Sequence, residues 1–395
     1  MNILFLGALY SQDKIDEYRS NSKSGLQFAA QNLQESLIEG AIENGAHIEV
    51  VAKPVLSTFP HGYRKLRVRG CDYIFKNEKI GKSLGYINIP FLNKPTFSQY
   101  NVLLEDWYKK NEGEKSIWVY SLTKQFMQVA VNFKNNHHDV KLVLIVPDLL
   151  RFCGCNKYYR MIGFQQKNIK IVQKLCQCFD RYVLLCESMA KDLGIEEKVY
   201  TIMEGIFTSD EDDCVFGKNA NNTILYTGNL DKRYGIIDLL DAFQLIKDDD
   251  YRLWIRGNGN TEIEIKERMK KDKRISLIPQ LSKIELLRLE REASLLVNPV
   301  SYREEFTKFF FPSKTMDYLA SGTPTMMHKL ACLPHDYLEY LYFFENDTPT
   351  QMATDIQQFF TSDFTTRTEK GRKASRFIRT KKTAKIQVKK ILDIL

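Results

Sequence analysis

No apolar run in the 395-residue chain approaches the length needed to cross a bilayer, which excludes a membrane-spanning helix from the sequence reading. A secreted-type cysteine framework is also missing: eight cysteines, at 71, 153, 155, 176, 178, 186, 214 and 332, are scattered through a long chain, so reduced thiols are expected. Zinc-ligand spacing is absent too. "CGC" and "CQC" place one residue between cysteines where structural zinc sites use two to four, and positions i and i+2 diverge on a helix. The six histidines include "HHD" at 137–139, between an amphipathic run and an apolar strand, which reads as a solvated turn. Neither an internal repeat nor a low-complexity tract is present. The opening "MNILFLGALYS" lacks a basic n-region and a small-residue cleavage site, so it is read as a first strand and a cytoplasmic location is expected.

What is present has the balance of an ordinary globular enzyme, 44% hydrophobic and 27% charged, at a length that exceeds one hydrophobic core. "NILFLG", "HIEVVA", "SIWVYS", "KLVLIVPD" and "RYVLLCES" read as strands, and "SGLQFAAQNLQESLIEGAIENG" as a helix with Leu26, Ala30, Leu33, Leu37 and Ala41 on one face and Gly45 as its stop. "FTSDEDDCVFGKNANN" interrupts the alternation, which resumes with the strands "TILYTG", "YRLWIRGNG", "RISLIP" and "SLLVNP" separated by helical patterns. The fold class expected is α/β, two Rossmann-like doubly wound domains facing across a cleft. Residues 1–206 would form the first domain, 207–221 a linker, 222–375 the second domain, and 376–395 a basic helix returning to the first.

Open parallel sheets bind ligands beyond the carboxyl ends of their strands. In the second half those ends carry Gly228 and Asn229 with Lys232 and Arg233 behind them, then Gly257 and Asn258, then Pro279, then "NPVSYREEF" leading into "FFFPSKTMDYLASGTP". In the last stretch Pro312 suits a helix start, Met316, Leu319 and Ala320 repeat at helical spacing, and Gly322 with Pro324 ends the run. The backbone amides of Ser313 to Thr315, the charge of Lys314 and the carboxylate of Asp317 one turn on make an anion site; a capped core helix with a solvated lysine is the other reading. "DDD" at 248–250 precedes a strand and so lies on the opposite rim, where it reads as a solvated turn and not a metal site.

The order "YTGNLDKRYGI…LLDAF", "LWIRGNG", "SKIELLRLEREASLLVNP", "EEF…FPSKTMDYLASGTP" resembles the C-terminal domain of the retaining GT-B glycosyltransferases of family four, glycosyl transferases group 1, of the bacterial surface-polysaccharide class. The resemblance covers about residues 222–330 and implies transfer of a sugar from a nucleoside-diphosphate sugar to a saccharide or lipid-linked acceptor, with retention of configuration. It also implies that Gly228, Leu230 and Gly235 keep the family's diphosphate loop, and that Glu305 and Asp317 stand for its two acids. Two departures are visible: Asn229 occupies the family's arginine position and Tyr234 its lysine position, so the charge facing the diphosphate falls to Arg233 or Lys232 and to Lys314. Eleven residues separate Glu305 from Asp317 where the family has seven. The implied donor contacts are Ser313, Lys314 and the helix amides to the diphosphate and Asp317 to the ribose. In the first domain Gly7 ends a strand, and Asp148, after "KLVLIV", takes the place of the family's residue near the reacting carbon, or else is a turn cap. With no metal site read, catalysis without a metal cofactor is expected.

The net charge of +8 gathers in two segments. Residues 61–70, "HGYRKLRVRG", mix four cations with aromatic and aliphatic residues, and residues 365–395 carry eleven Lys or Arg against two acids. For 61–70 two readings stay open: an anionic membrane surface or lipid-pyrophosphate acceptor, with Tyr63, Leu66 and Val68 inserting shallowly, or a plain basic loop. No RRM, KH or zinc-finger pattern appears, so nucleic acid is not an expected partner. A GT-B nucleotide-sugar epimerase is the alternative enzyme.

Overall fold

The computed structural model describes residues 1–23, 25–90, 92–150, 164–208 and 222–395, which fall into two compact units, Met1–Ile206 with Ala384–Leu395, and Phe207–Thr383. Strands of the first unit are, in chain order, β1 Asn2–Gly7, β2 His47–Ala52, β3 Arg67–Val68, β4 Cys71–Phe75, β5 Glu78–Ser83, β6 Tyr86–Ile87, β7 Lys115–Tyr120, β8 Lys141–Val146, β9 Arg181–Leu184 and β10 Val199–Ile202. Eight of them form one sheet in the order β10-β9-β8-β7-β1-β2-β5-β4. All its pairs are parallel except the β4/β5 hairpin, whose turn residues Lys76 and Asn77 both have positive φ, 48° and 66°, as a two-residue type I′ turn requires.

The central strands are apolar on both faces because helices cover both. Helix Phe28–Glu43 lies against β1 and β2, but its buried side at the N-terminal end is polar. Gln34 accepts from the Ala8 amide at 2.9 Å and donates to the Ala8 carbonyl at 3.1 Å; Gln31 does the same for Tyr10, at 2.8 and 2.9 Å. The backbone leaving β1 is thus clamped by two side chains. A Cβ on Gly7 would lie 2.6 Å from the Gln34 Oε1, so packing against this clamp accounts for the glycine.

The second unit contributes β11 Asn222–Asn229, β12 Tyr251–Asn258, β13 Ile275–Ile278, β14 Leu295–Asn298, β15 Thr325–Met327 and β16 Tyr342–Phe343, all parallel, in the order β13-β12-β11-β14-β15-β16. Chain progression reverses between β11 and β14, and that reversal is the switch point at which doubly wound sheets open a crevice for a ligand. Alternation along β11 sends Ile224 and Tyr226 to the face covered by helices Ile236–Leu245 and Pro349–Thr361, and Leu225 to the face covered by helices Lys283–Glu292 and Lys314–Ser321.

The C-terminal return differs from the expected boundary. Helix Phe364–Lys381 stays with the second unit, where Gly371 packs against the Gly322 backbone and Ser375 donates to the Ala320 carbonyl at 2.8 Å. Only Ala384–Leu395 joins the first unit. There a Cβ on Gly40 would meet the Ala384 carbonyl at 2.4 Å, and Val388 and Ile391 enter the core under β1 and β2. Positive charge gave residues 365–395 one label, whereas burial divides them. The expected linker, 207–221, lies mostly outside the described residues, as do Cys153, Cys155 and Cys214.

The basic segment 61–70 is partly strand. Tyr63 and Val68 are 1% and 3% exposed, packed with Tyr10, Tyr18, Leu56 and Tyr86, so the expected insertion of these two side chains is corrected: Leu66 alone of the three faces solvent. Lys65 is paired with Glu17 at 2.8 Å, leaving Arg64, Arg67 and Arg69 as the exposed arginines of the segment.

The clamp carries a stability prediction. Gln31→Leu leaves the buried Tyr10 amide and carbonyl without partners, and urea denaturation should show a loss of about 1–3 kcal/mol. A loss under about 0.5 kcal/mol contradicts the assignment of the clamp to Gln31.

Candidate functional site

Helix Lys314–Ser321 is pinned to β11 by Tyr318, whose hydroxyl accepts from the Thr227 amide at 2.7 Å and donates to the Thr227 carbonyl at 3.2 Å. Tyr318 is fully buried, so these bonds fix the helix start at the end of β11. The helix begins two residues later than Pro312 suggests: Ser313 is its N-cap without a side-chain capping bond, and the Thr315 amide is already used by the Pro312 carbonyl at 2.8 Å. Of the three amides expected to face an anion, those of Ser313 and Lys314 remain.

Lys314 reaches past the strand end. Its Nζ lies 4.4 Å from the centroid of the Tyr226 ring and 3.4 Å from the Tyr226 hydroxyl. A Cβ built on Gly228 would be 1.9 Å from that Nζ, so the ammonium occupies the space that a side chain at 228 would fill. Gly228 also has φ 148°, which L side chains rarely adopt. Burial draws the Lys314 ammonium down to about 8, opposed by the charge of Glu290.

Glu290, on helix Lys283–Glu292, is 3% exposed and is pushed up to about 8, first by burial and then by Asp317, against a hydrogen bond from Thr227 and the charges of Arg256 and Lys314. Burial thus disfavours the charged form of both groups, and the raised carboxyl is a weakened counter-charge for Lys314. Among the described residues no carboxylate lies within ion-pair distance of this ammonium. An ammonium removed from water and left without a counter-ion is costly, and an incoming anion offsets that cost.

On the neighbouring strand ends Gly228 pairs with Gly257 and Asn229 with Asn258, and a Cβ on Gly257 would strike the Gly228 carbonyl at 1.7 Å. Beyond β12 and β13 a cavity of about 310 Å³ is lined by Arg256, Gly257, Asn258, Ile278, Pro279 and Gln280 among others, which gathers three of the sequence-derived residues. Asp317 and Ser313 are exposed on the same helix start as Lys314. Arg233 is drawn aside: its guanidinium lies 5.0 Å from the Tyr234 ring and 5.8 Å from the Phe306 ring, beside Asp231. Glu305 opens the short helix Glu305–Lys308 next to Phe306 and is exposed, and no described geometry brings it to Lys314. In the first unit Asp148 follows β8; its residue surface is open to solvent, yet burial of the carboxyl lifts it above the usual range. "DDD" forms an exposed turn before β12, the Asp250 amide bonding Asp248 at 2.8 Å.

Reading the sequence included Arg256 in the strand-end stretch "RGNG" at 256–259, but gave no role to Glu290, Thr227, Tyr226 and Tyr318. Glu290 had a signal, an acid four residues after Leu286 on the apolar stripe of its helix. The others sit inside apolar runs, where nothing in the pattern separates a polar handle from core.

The pattern of the family described as glycosyl transferases group 1 matches residues 210–380. No curated protein matches the chain significantly. Among solved structures the chain is similar to sucrose-phosphate synthase from Thermosynechococcus elongatus (12% identity, TM-score 0.63, covering 100% of this chain and 98% of that one). It is likewise similar to HepE from Anabaena in complex with UDP (12%, 0.63, 100% and 99%) and to S. aureus TarM in complex with UDP and other ligands (10%, 0.61, 100% and 99%). At these identities the likeness establishes the fold, GT-B, while the group 1 glycosyltransferase pattern is matched over residues 210–380, less than half of the chain.

Proposed function

We propose that this chain is a retaining, metal-independent glycosyltransferase. It moves a sugar from a nucleoside-diphosphate sugar to a saccharide acceptor, lipid-linked, in cell-surface polysaccharide biosynthesis at the cytoplasmic side of the membrane. The observation that carries the donor assignment is the Lys314 ammonium, buried without a counter-ion where Gly228 ends β11. The family match over 210–380 supports it, and so do the UDP-bound neighbours, which make UDP the first nucleotide to try.

In this reading the diphosphate meets Lys314 and the amides of Ser313 and Lys314, Asp317 takes the ribose hydroxyls, and the cavity at Arg256 to Gln280 takes the base. The bond between the anomeric carbon and the diphosphate oxygen breaks as positive charge develops on the sugar ring. Lys314 stabilises the negative charge gathering on the leaving diphosphate, which takes the proton of the acceptor hydroxyl as that oxygen bonds the anomeric carbon from the same face. Asp148 and Glu305 keep the catalytic roles that the family resemblance assigns them.

Two expectations follow for the donor side. Calorimetry of UDP binding should show Lys314→Met and Asp317→Ala each losing about 1.5–3 kcal/mol with the fold intact. Wild-type affinity should fall as pH rises through about 8, where the ammonium loses its proton, while Lys314→Met stays flat. Unaltered affinity in both variants, or a wild-type profile that does not bend, overturns the donor site. Sugar transfer measured in EDTA should persist, and activity lost to chelator and restored by Mg²⁺ or Mn²⁺ rejects metal independence.

The membrane side is tested at the exposed arginines. Replacing Arg64, Arg67 and Arg69 with Ser should release the protein from anionic liposomes, each cation contributing roughly 1 kcal/mol near a charged surface. UDP binding should not change, because screening confines such an effect to about 8 Å. Equal sedimentation of wild type and triple variant makes the segment ordinary surface.

A further inference from the structure

Tyr226 is fully buried in the core cluster that also holds Leu230, Leu240 and Ile255, so close packing fixes its ring near the end of β11. Its hydroxyl donates to the Asn229 carbonyl at 2.7 Å. The same oxygen lies 3.4 Å from the Lys314 Nζ, and a Cβ built on Gly228 would lie 3.3 Å from the oxygen and 1.9 Å from the Nζ. One phenol therefore joins the loop leaving β11 to the lysine of helix Lys314–Ser321, and it does so through the space that a side chain at 228 would fill. Burial raises the phenol far above its ordinary range, so it keeps its proton for Asn229 and turns a lone pair to the ammonium. Among the described residues it is the only hydrogen-bond acceptor within reach of the Lys314 Nζ. At 3.4 Å that contact is long, and the ring face 4.4 Å below the ammonium supplies the larger share of the attraction.

Lysine carries its charge on a flexible stem, and ordering that stem at the moment of binding costs rotamer entropy. With Arg233 drawn to the Tyr234 and Phe306 rings, the placement of Lys314 matters the more. We propose that Tyr226 is a positioning residue, whose ring and hydroxyl hold the Lys314 ammonium at the strand end before a ligand arrives, so that the diphosphate meets a cation already in place. This rests on the reading that Lys314 receives the donor diphosphate. Tyr226 touches no ligand in this scheme and acts through the lysine.

The test is a double-mutant cycle on the full-length protein, read by calorimetry of UDP binding at neutral pH. Tyr226→Phe, which keeps the ring, should weaken binding severalfold, and Tyr226→Leu, which removes ring and hydroxyl, at least about tenfold. In the Lys314→Met background both changes should be silent to within about twofold, because the group they act through is gone. Equal losses in the two backgrounds make Tyr226 merely structural and overturn the proposal, as does wild-type affinity in both single variants. Should Tyr226→Leu fail to fold, the Tyr226→Phe cycle decides alone. A second readout needs no ligand: NMR titration of protein whose lysines carry carbon-13 at Cε, with the Lys314 resonance identified by its loss in Lys314→Met. Its midpoint, about 8 in the wild type, should move to lower pH in Tyr226→Phe, since removing an acceptor disfavours the charged form. The charged groups around it, Glu290 from helix Lys283–Glu292, Arg256 from β12 and Asp317 from its own helix, are the same in that variant. An unmoved midpoint overturns the hold of Tyr226 on the ammonium. Failure of UDP to bind the wild type overturns the donor reading alone, and the NMR midpoint then still decides for or against Tyr226.

Discussion

An ammonium group has been taken out of water at the carboxyl end of β11, and much of the second unit's rim follows from where it sits. Lys314 can reach the Tyr226 ring only because residue 228 has no side chain, and Gly228 can hold its backbone conformation for the same reason. Helix Lys314–Ser321 must start at that strand end for the reach to work, and the buried bonds between Tyr318 and Thr227 hold it there at about 1 kcal/mol each. Glu290 completes the setting from the next helix. Burial raises its carboxyl well above the usual range, and no ion pair joins it to Lys314.

The same strand end explains how base and phosphate recognition are divided in the proposed site. β11 and β12 end in register, glycine facing glycine, which lets the backbones approach and leaves the cavity beyond β12 and β13 next to the ammonium. Gly235, with φ 76° and a missing Cβ 2.1 Å from the Pro299 carbonyl, brings the loop after β11 against the exit of β14. Both contacts lie at the switch point of a sheet ordered 3-2-1-4-5-6 in the unit's own strand count.

The long apolar strands, the covering helices and the break near residue 207 were legible because periodicity and turn chemistry report burial directly. β15 and β16, three and two residues long, were not, since so short a run has no period, and the β4/β5 hairpin was hidden by the polar alternation of "EKIGKS". At the site, Lys314 and Gly228 were legible singly, but the distance between them was not: 85 residues of chain separate the two. Helix Phe28–Glu43 shows the opposite limit. Leu26 and Ala30 fit the apolar stripe, yet Gln31 and Gln34 are the residues buried there, because backbone hydrogen bonds outweigh apolar pattern where the chain leaves β1.

The direct measurement is a crystal structure of the full-length protein with UDP bound. The account predicts a β-phosphate oxygen within about 3 Å of the Lys314 Nζ and the uracil in the cavity between Arg256 and Gln280. A nucleotide seated elsewhere, or one whose phosphates leave Lys314 without an anionic partner, contradicts it.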